Sequence, residues 1–316
     1  MNAKLRCASA LLVSGMALAA VGCSQSAPAT QNNPSTTSGA VQGLGSGVAQ
    51  ILDGVQPSTD LVSKVPENYK SGIKVGSDLT APPGTYLADD RKTPVGFEVD
   101  LINAIAKKLG TTATVSNADF STLITSVSTN RIDLVISQMN DNSTRQKQID
   151  FIDYYDAGIA FIVQHNNPGN IQGPQDLCGK KVSAGPGSSQ LAWAQRTSPE
   201  ICPSDKPMNI TIVEENQQRL NSLKTGRLDV VLNDTPGAAF IAATSGGGND
   251  FESVKLKEAI EPAPYGMGFN KSNSELRDAV KAALQELIDD GTYKKILTAW
   301  GVENGARAQA TLNGGK

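Results

Sequence analysis

Between Ile73 and Ser137 short β-branched runs take turns with amphipathic segments, and that alternation leaves the chain few folds to choose from. Ile73-Lys74-Val75-Gly76 reads as a first strand. Glu98 to Leu109 follows as a helix with Val99, Ile102, Ile105, Ala106 and Leu109 on one face, and Gly110 as its C-cap. Thr112 to Val115 is a second strand, Ser121 to Thr129 a helix with Leu123, Ile124 and Val127 inward, and Leu134 to Ser137 a third strand. Strand, helix, strand, helix, strand implies an α/β fold with a parallel sheet and right-handed crossovers. The unit then echoes: Asn130-Arg131-Ile132-Asp133-Leu134-Val135-Ile136 returns as Gly226-Arg227-Leu228-Asp229-Val230-Val231-Leu232. Both strands end in polar residues, Ser137-Gln138 and Asn233-Asp234. Two similar α/β lobes aiming strand ends at a shared cleft explain this; so does the general look of any helix–turn–strand unit.

The first 22 residues are set apart. Lys4 and Arg6 precede an apolar run from Ala8 to Val21, too short and wrongly flanked for a membrane span, so 1–22 reads as a secretory signal. Cys23 directly after Ala20-Val21-Gly22 resembles a bacterial lipobox, in which the thiol carries lipid; Ala20 stands where Leu is usual. Plain secretion is the alternative. Residues 23–60 are rich in Ser, Thr, Gln, Asn, Gly and Pro, a composition that buries too little surface to offset ordering, and are expected to be a flexible tether. No later segment reaches the ~18 to 20 apolar residues of a spanning helix.

With Cys7 in the leader and Cys23 at the lipid site, Cys178 and Cys202 remain. In an oxidising compartment they are expected to pair, closing a loop of roughly 25 residues worth ~3 kcal/mol; two buried free thiols are the alternative. His165 is the only histidine and there is no CxxC pair, so neither a metal nor any other cofactor is implied. Without Lys4 and Arg6 the 28 basic residues fall to 26 against 31 acidic ones, a mature charge of about −5 that gives nucleic acid no footing.

Two segments are expected to cross between lobes: Asp156 to His165, with its apolar run Gly158 to Val163, and Glu261 to Phe269. After the second come an amphipathic helix from Ser274 to Asp290 and a shorter one from Tyr293 to Trp300. The expected organisation is a first lobe from 61–160 and 264–304, a second from 161–263, and a frayed tail at 305–316.

In open α/β sheets ligands bind beyond the carboxyl ends of the strands. At one such end Arg145 has no acid nearby in sequence, so it is either a surface residue of a helix Ser143 to Gln148 or a planar fork for a carboxylate. Gly185-Pro186-Gly187-Ser188-Ser189 opens a helix after the strand Lys180 to Ala184. That is either an ordinary junction or a set of free N–H groups suited to an anion. Asp234 either N-caps the helix from Pro236 or faces Arg145 across the cleft. A cation site beside an anion site would match an amino-acid zwitterion.

Gly96-Phe97-Glu98-Val99-Asp100-Leu101, followed by Ile105-Ala106 and Leu109, is similar to the signature segment of bacterial extracellular solute-binding proteins of family 3, the polar amino-acid receptors of ABC importers. The resemblance runs from about Ile73 to Val302, takes in Asp290 to Tyr293 and Trp300-Gly301, and in its Cys178 and Cys202 looks like an actinobacterial-type branch. It implies a two-lobed periplasmic-binding-protein-like fold of type II, its α/β lobes joined by two crossover strands. By position, it implies that Arg145 grips the ligand α-carboxylate, with Ser189, the helix-end amides and Gly187 assisting. Asp234 takes the α-ammonium with Gln138 and Asn140, Phe120 stacks on the aliphatic part, and Asp78 lines the side-chain pocket. The family's second aromatic wall is missing at Ala81-Pro82-Pro83-Gly84 unless Tyr86 supplies it, and Asn140 replaces the usual Ser or Thr.

The expected protein is a non-enzymatic, monomeric receptor, lipid-anchored on the extracellular face of the cytoplasmic membrane. It passes a polar amino acid, glutamine- or glutamate-like, to an ABC permease and its ATPase. A tethered amino-acid sensor would need the same cleft. An enzyme resembling cyclohexadienyl dehydratase would need a placed proton donor, for which carboxylates such as Asp78 are the candidates.

Overall fold

The structure is a computed structural model and describes residues 44–316. The signal segment 1–22, Cys23 and the tether as far as residue 43 lie outside the described residues. One mixed sheet runs through the molecule. Its first part is parallel, in the order Ala113–Asn117, Ile73–Ser77, Leu134–Val135. Two long antiparallel strands follow, Ile260–Asn270 and Ile149–Gln164. Its last part is Val230–Asp234, Lys181–Ala184 and Asn209–Ile212, again parallel to one another.

The two long strands are the crossovers. The first begins at Ile149, seven residues before the expected Asp156, and is buried along nearly all of its length. Its apolar side chains serve two cores. One holds Ile152, Tyr154, Tyr155 and Ala157 with the helices Phe97–Lys108, Ser274–Asp289 and Thr292–Ala299. The other holds Ile159, Phe161 and Val163 with the helix Ser189–Ile201. Smaller clusters line the opposite faces, under Leu123–Ser128 on one side and Asn216–Lys224 and Thr235–Thr244 on the other. The result is a two-lobed type II arrangement. Cys178 and Cys202 are joined as a disulfide, which ties the start of the second lobe's first strand to the end of its first long helix.

Two expectations fail at the ends of the described chain. Residues 48–60 are not tether: Val48–Asp53 is helical, and Val48, Val55 and Leu61 enter the first core. The Ser58 amide donates to Lys108 O at 2.9 Å and its hydroxyl to Glu286 at 3.0 Å. Ile51 and Leu52 pack against the same core, where the helix meets Phe97–Lys108 and Thr292–Ala299. Nor is 305–316 frayed. Ala306–Leu312 is a strand laid against the first crossover, pairing Ala306 with Tyr155 and Leu312 with Ile152. Beyond it Gly314 N donates to Asp153 and Gly315 N to Asp141, at 3.0 and 2.8 Å. No helix among the described residues is long and apolar enough to cross a membrane.

Candidate functional site

Strands of both lobes present their carboxyl ends to one cleft, and the loop after Leu134–Val135 is its most elaborate wall. Ser137 Oγ accepts from Asp78 N at 3.0 Å. The chain then turns left-handed at Gln138 (φ 47°), a conformation that costs a residue with a β-carbon roughly 1 kcal/mol. Glu98 holds it there, its Oε1 accepting Gln138 N at 2.7 Å, while Gln138 Nε2 donates to Ala81 O at 2.6 Å. Glu98 is fully buried, also accepts from the Tyr154 hydroxyl, and leaves Oε2 without a partner; burial pushes its carboxyl up to about 7. Asp141 N then bonds Pro264 O and Gly266 N bonds Met139 O, fastening the loop to the second crossover.

Asn142 caps the short helix Ser143–Gln146, its Oδ1 accepting from Thr144 N and Arg145 N. This turns Arg145 inward, so the surface alternative is excluded: the residue is 7% exposed. Its guanidinium lies 5.5 Å over the Phe120 ring and donates to Asn140 O at 2.6 Å and, across the cleft, to Gly187 O at 3.0 Å. It is therefore not unpaired, as the sequence suggested, but a guanidinium has five N–H donors and two carbonyls leave room for a carboxylate. Burial lowers its pKa to about 10, against the pull of Asp234 and Asp141, so it stays charged at neutral pH.

In the second lobe Ser188, rather than Ser189, is the N-cap of the helix Ser189–Ile201; its Oγ accepts from Leu191 N at 3.1 Å and donates to Gly185 O at 2.7 Å. Gly187 takes a left-handed φ of 70° that aims its carbonyl at Arg145. Asp234 closes the strand Val230–Asp234. It stands at the cap position of Thr235–Thr244, yet its side chain makes no cap bond. Gln190 Nε2 donates to its Oδ1 at 2.6 Å instead. Burial raises its carboxyl to about 7, opposed by the nearby Tyr265 hydroxyl, Arg145 and Gln190.

The cleft, partly open to solvent, has a cavity volume of about 90 Å³, and Asp78, Phe120, Gln138, Asn140, Ser189 and Asp234 all line it; Arg145 and Gly187 lie at its edge, in the adjoining hollow. Asp78 accepts both Thr80 N and Thr80 Oγ1, and burial raises its carboxyl above the ordinary value. Tyr86 does not replace the absent aromatic wall: its ring packs on Phe240 and Trp300, 6.0 and 6.2 Å away. Ala81 and Pro82 line that side. Among the described residues no group of His, Cys, Asp and Glu could hold a metal ion.

Five cleft residues escaped the sequence reading: Thr80, Gln190, Glu214, Asn216 and Arg219. The last three follow the end of Asn209–Ile212, so the rule that pointed to Arg145, polar residues straight after a strand, would have found them too.

The model of the bacterial extracellular solute-binding proteins, family 3, matches residues 73–303. The L-cystine-binding protein TcyJ of Escherichia coli strain K12 is 30% identical over 241 residues, 76% of this chain and 85% of that protein. The lysine/arginine/ornithine-binding periplasmic protein of the same strain is 32% identical over 253 residues, 78% of this chain and 92% of its own length. The solved structure of an ancestral arginine-binding protein bound to arginine is similar at a TM-score of 0.66 and 32% identity, covering 72% of this chain and 97% of its own. A cleft at the strand ends of two lobes, a family model spanning both, and relatives that bind amino acids agree: the chain belongs to the bacterial extracellular solute-binding proteins of family 3.

Proposed function

We propose that this protein captures a polar α-amino acid between its lobes, closes over it by bending at the crossover strands, and delivers it to an ABC permease and its ATPase. The observation that carries this is that Arg145 from the first lobe and Asp234 from the second, both buried, border one hollow that adjoins the cleft lined by Phe120. A zwitterion fits it: the carboxylate meets the Arg145 fork and the free N–H groups opening Ser189–Ile201, and the ammonium meets Asp234. Removal from water strengthens both pairs. That the named relatives bind cystine, lysine, arginine and ornithine supports the shared α-amino-acid head. It does not select a side chain. For glutamine or glutamate, the Gln138 amide spends one N–H on Ala81 O and keeps its second N–H and its oxygen.

The reading includes export, a lipid on Cys23 that holds the monomer at the extracellular face of the membrane, and binding without chemistry. Cys23→Ala is expected to release the protein into the medium; retention at the membrane would refute the anchor.

The deciding test is a thermal-shift screen of the chain from Ser24 onward against the twenty amino acids, polyamines, sugars and dicarboxylates. A ligand at a thousandfold excess over Kd stabilises by about 4 kcal/mol. One or a few amino acids are expected to raise Tm, and Arg145→Ala to remove the shift. A shift from another ligand class alone would overturn the reading.

A further inference from the structure

The far end of the cleft carries charges that one amino-acid head does not use. Arg219 reaches it from the helix Asn216–Lys224 of the second lobe, Asp78 from the first, and Glu214 stands at the rim. Arg219 braces its own loop: Nη1 donates to Val213 O and to Glu214 O, the latter at 2.7 Å, and Nη2 to Asn216 Oδ1 at 3.2 Å. Its Nε is buried with no partner. On a guanidinium the Nε–H and one Nη2–H lie side by side, the edge that takes a carboxylate in two parallel bonds, and here the Nε–H has no acceptor. Gly185 makes room for this arrangement, since a β-carbon there would sit 3.2 Å from Nη1.

Asp78 is close enough to Arg219 for each charge to favour the other, yet Asp78 Oδ1 is bonded to Thr80 and not to the guanidinium. An anion site and a cation site thus face each other across the lobes, with the charge order of Arg145 and Asp234 reversed: here the second lobe carries the guanidinium and the first the carboxylate. A lone ligand cation would meet Asp78 but face Arg219. A lone carboxylate would meet Arg219 but face Asp78 and Glu214. A group bearing both charges satisfies all three.

We propose that the cleft holds a second zwitterion site, Arg219 facing Asp78, and that its ligand is a diamino dicarboxylic acid: two amino-acid heads joined by a short chain. This rests on the reading of Arg145 and Asp234 as the site of the first head. The near head docks there, the linking chain lies over Phe120, and the far head gives its carboxylate to Arg219 and its ammonium to Asp78.

Titration calorimetry of the chain from Ser24 onward tests it, with L-cystine and meso-diaminopimelate as two-headed probes and L-arginine, L-glutamate and L-glutamine as one-headed ones. At least one two-headed probe is expected to bind about tenfold or more tightly than any one-headed one. Arg219→Gln should remove that preference. Because Arg219 also braces a loop, Asp78→Asn, which leaves that loop intact, should remove the preference as well. Tighter binding of arginine or glutamate overturns the proposal, as does a preference that survives both substitutions. If no amino acid binds, or Arg145→Ala changes nothing, the first-head reading fails and takes this one with it.

Discussion

The two echoed units enter their strands alike and leave them differently. In the first lobe Asn130 is left-handed (φ 57°), and Asp133 clasps the neighbouring strand: its amide donates to Lys74 O at 2.8 Å and its Oδ2 accepts Lys74 N at 2.7 Å. In the second lobe Gly226 is left-handed (φ 71°), and Asp229 does the same to Lys181, at 2.8 and 2.7 Å. Even the Arg131 and Arg227 amides bond equivalent serine carbonyls, those of Ser126 and Ser222. At the exits the match ends. Leu134–Val135 stops after two residues and opens into the loop that carries Gln138, Asn140 and Arg145, whereas Val230–Asp234 runs five residues straight into a helix. Entry is a problem of folding and has one solution used twice; exit is where each lobe diverges to present its own charge.

Substitutions at exits should therefore act on ligand binding and those at entries on stability. The largest effect is expected from Arg145→Ala. Loss of a buried charge-assisted fork costs about 3 kcal/mol, or a hundredfold in Kd, measured by calorimetry with whichever amino acid the screen identifies. An unchanged Kd would place the carboxylate elsewhere.

Next comes pH. Asp234 is raised to about 7, so the folded chain holds its proton more tightly than the unfolded chain does. Glu98 and Asp153, also raised to about 7 by burial, act in the same sense. Ligand-free stability should thus fall as pH rises from about 4 to about 7. Capture of an ammonium needs charged Asp234 and should weaken by about tenfold per unit below 7. Melting curves and titrations at pH 5 to 8 should slope in opposite directions; parallel slopes would remove Asp234 from the ammonium site.

The entry clasps sharpen the contrast. Asp133→Ala and Asp229→Ala should each lower stability by about 1 kcal/mol in urea, by similar amounts, with Kd little changed. A large shift in Kd from either would show that entries also serve the ligand. Smallest is Gly226→Ala. Nothing lies within 4 Å of the added carbon, so only the left-handed backbone resists, at about 1 kcal/mol or less. Asn130→Gly should be neutral or slightly stabilising, less the bond its Oδ1 accepts from Asn270.

The same contrast governs what could be read from sequence. Entries were legible because Gly or Asn, Arg, an apolar residue and Asp stand in fixed order before a β-branched run. Arg145 and Asp234 were legible as polar groups at strand ends. That Asp234 bonds Gln190 instead of capping its helix depends on a neighbouring element and could not be seen. Arg219 follows a strand end as Arg145 does and was open to the same rule, though its run of Glu, Asn and Gln also looks like a solvated helix start. The strand Ala306–Leu312 has only Ala310 fully buried and no apolar alternation. Its partner is the backbone of a crossover, and backbone pairing leaves little trace in residue choice. Val48–Asp53 carries Val48, Ala49, Ile51 and Leu52, but six residues directly after a polar stretch are too short a run to show a helical period.

That final strand also brings the chain's last residues to the edge of the cleft. Lys316 borders the same hollow as Arg145 and Gly187, the two residues whose hydrogen bond spans the lobes. A dye coupled at that lysine would sit beside that contact, an optical gauge of any change in the distance between the lobes.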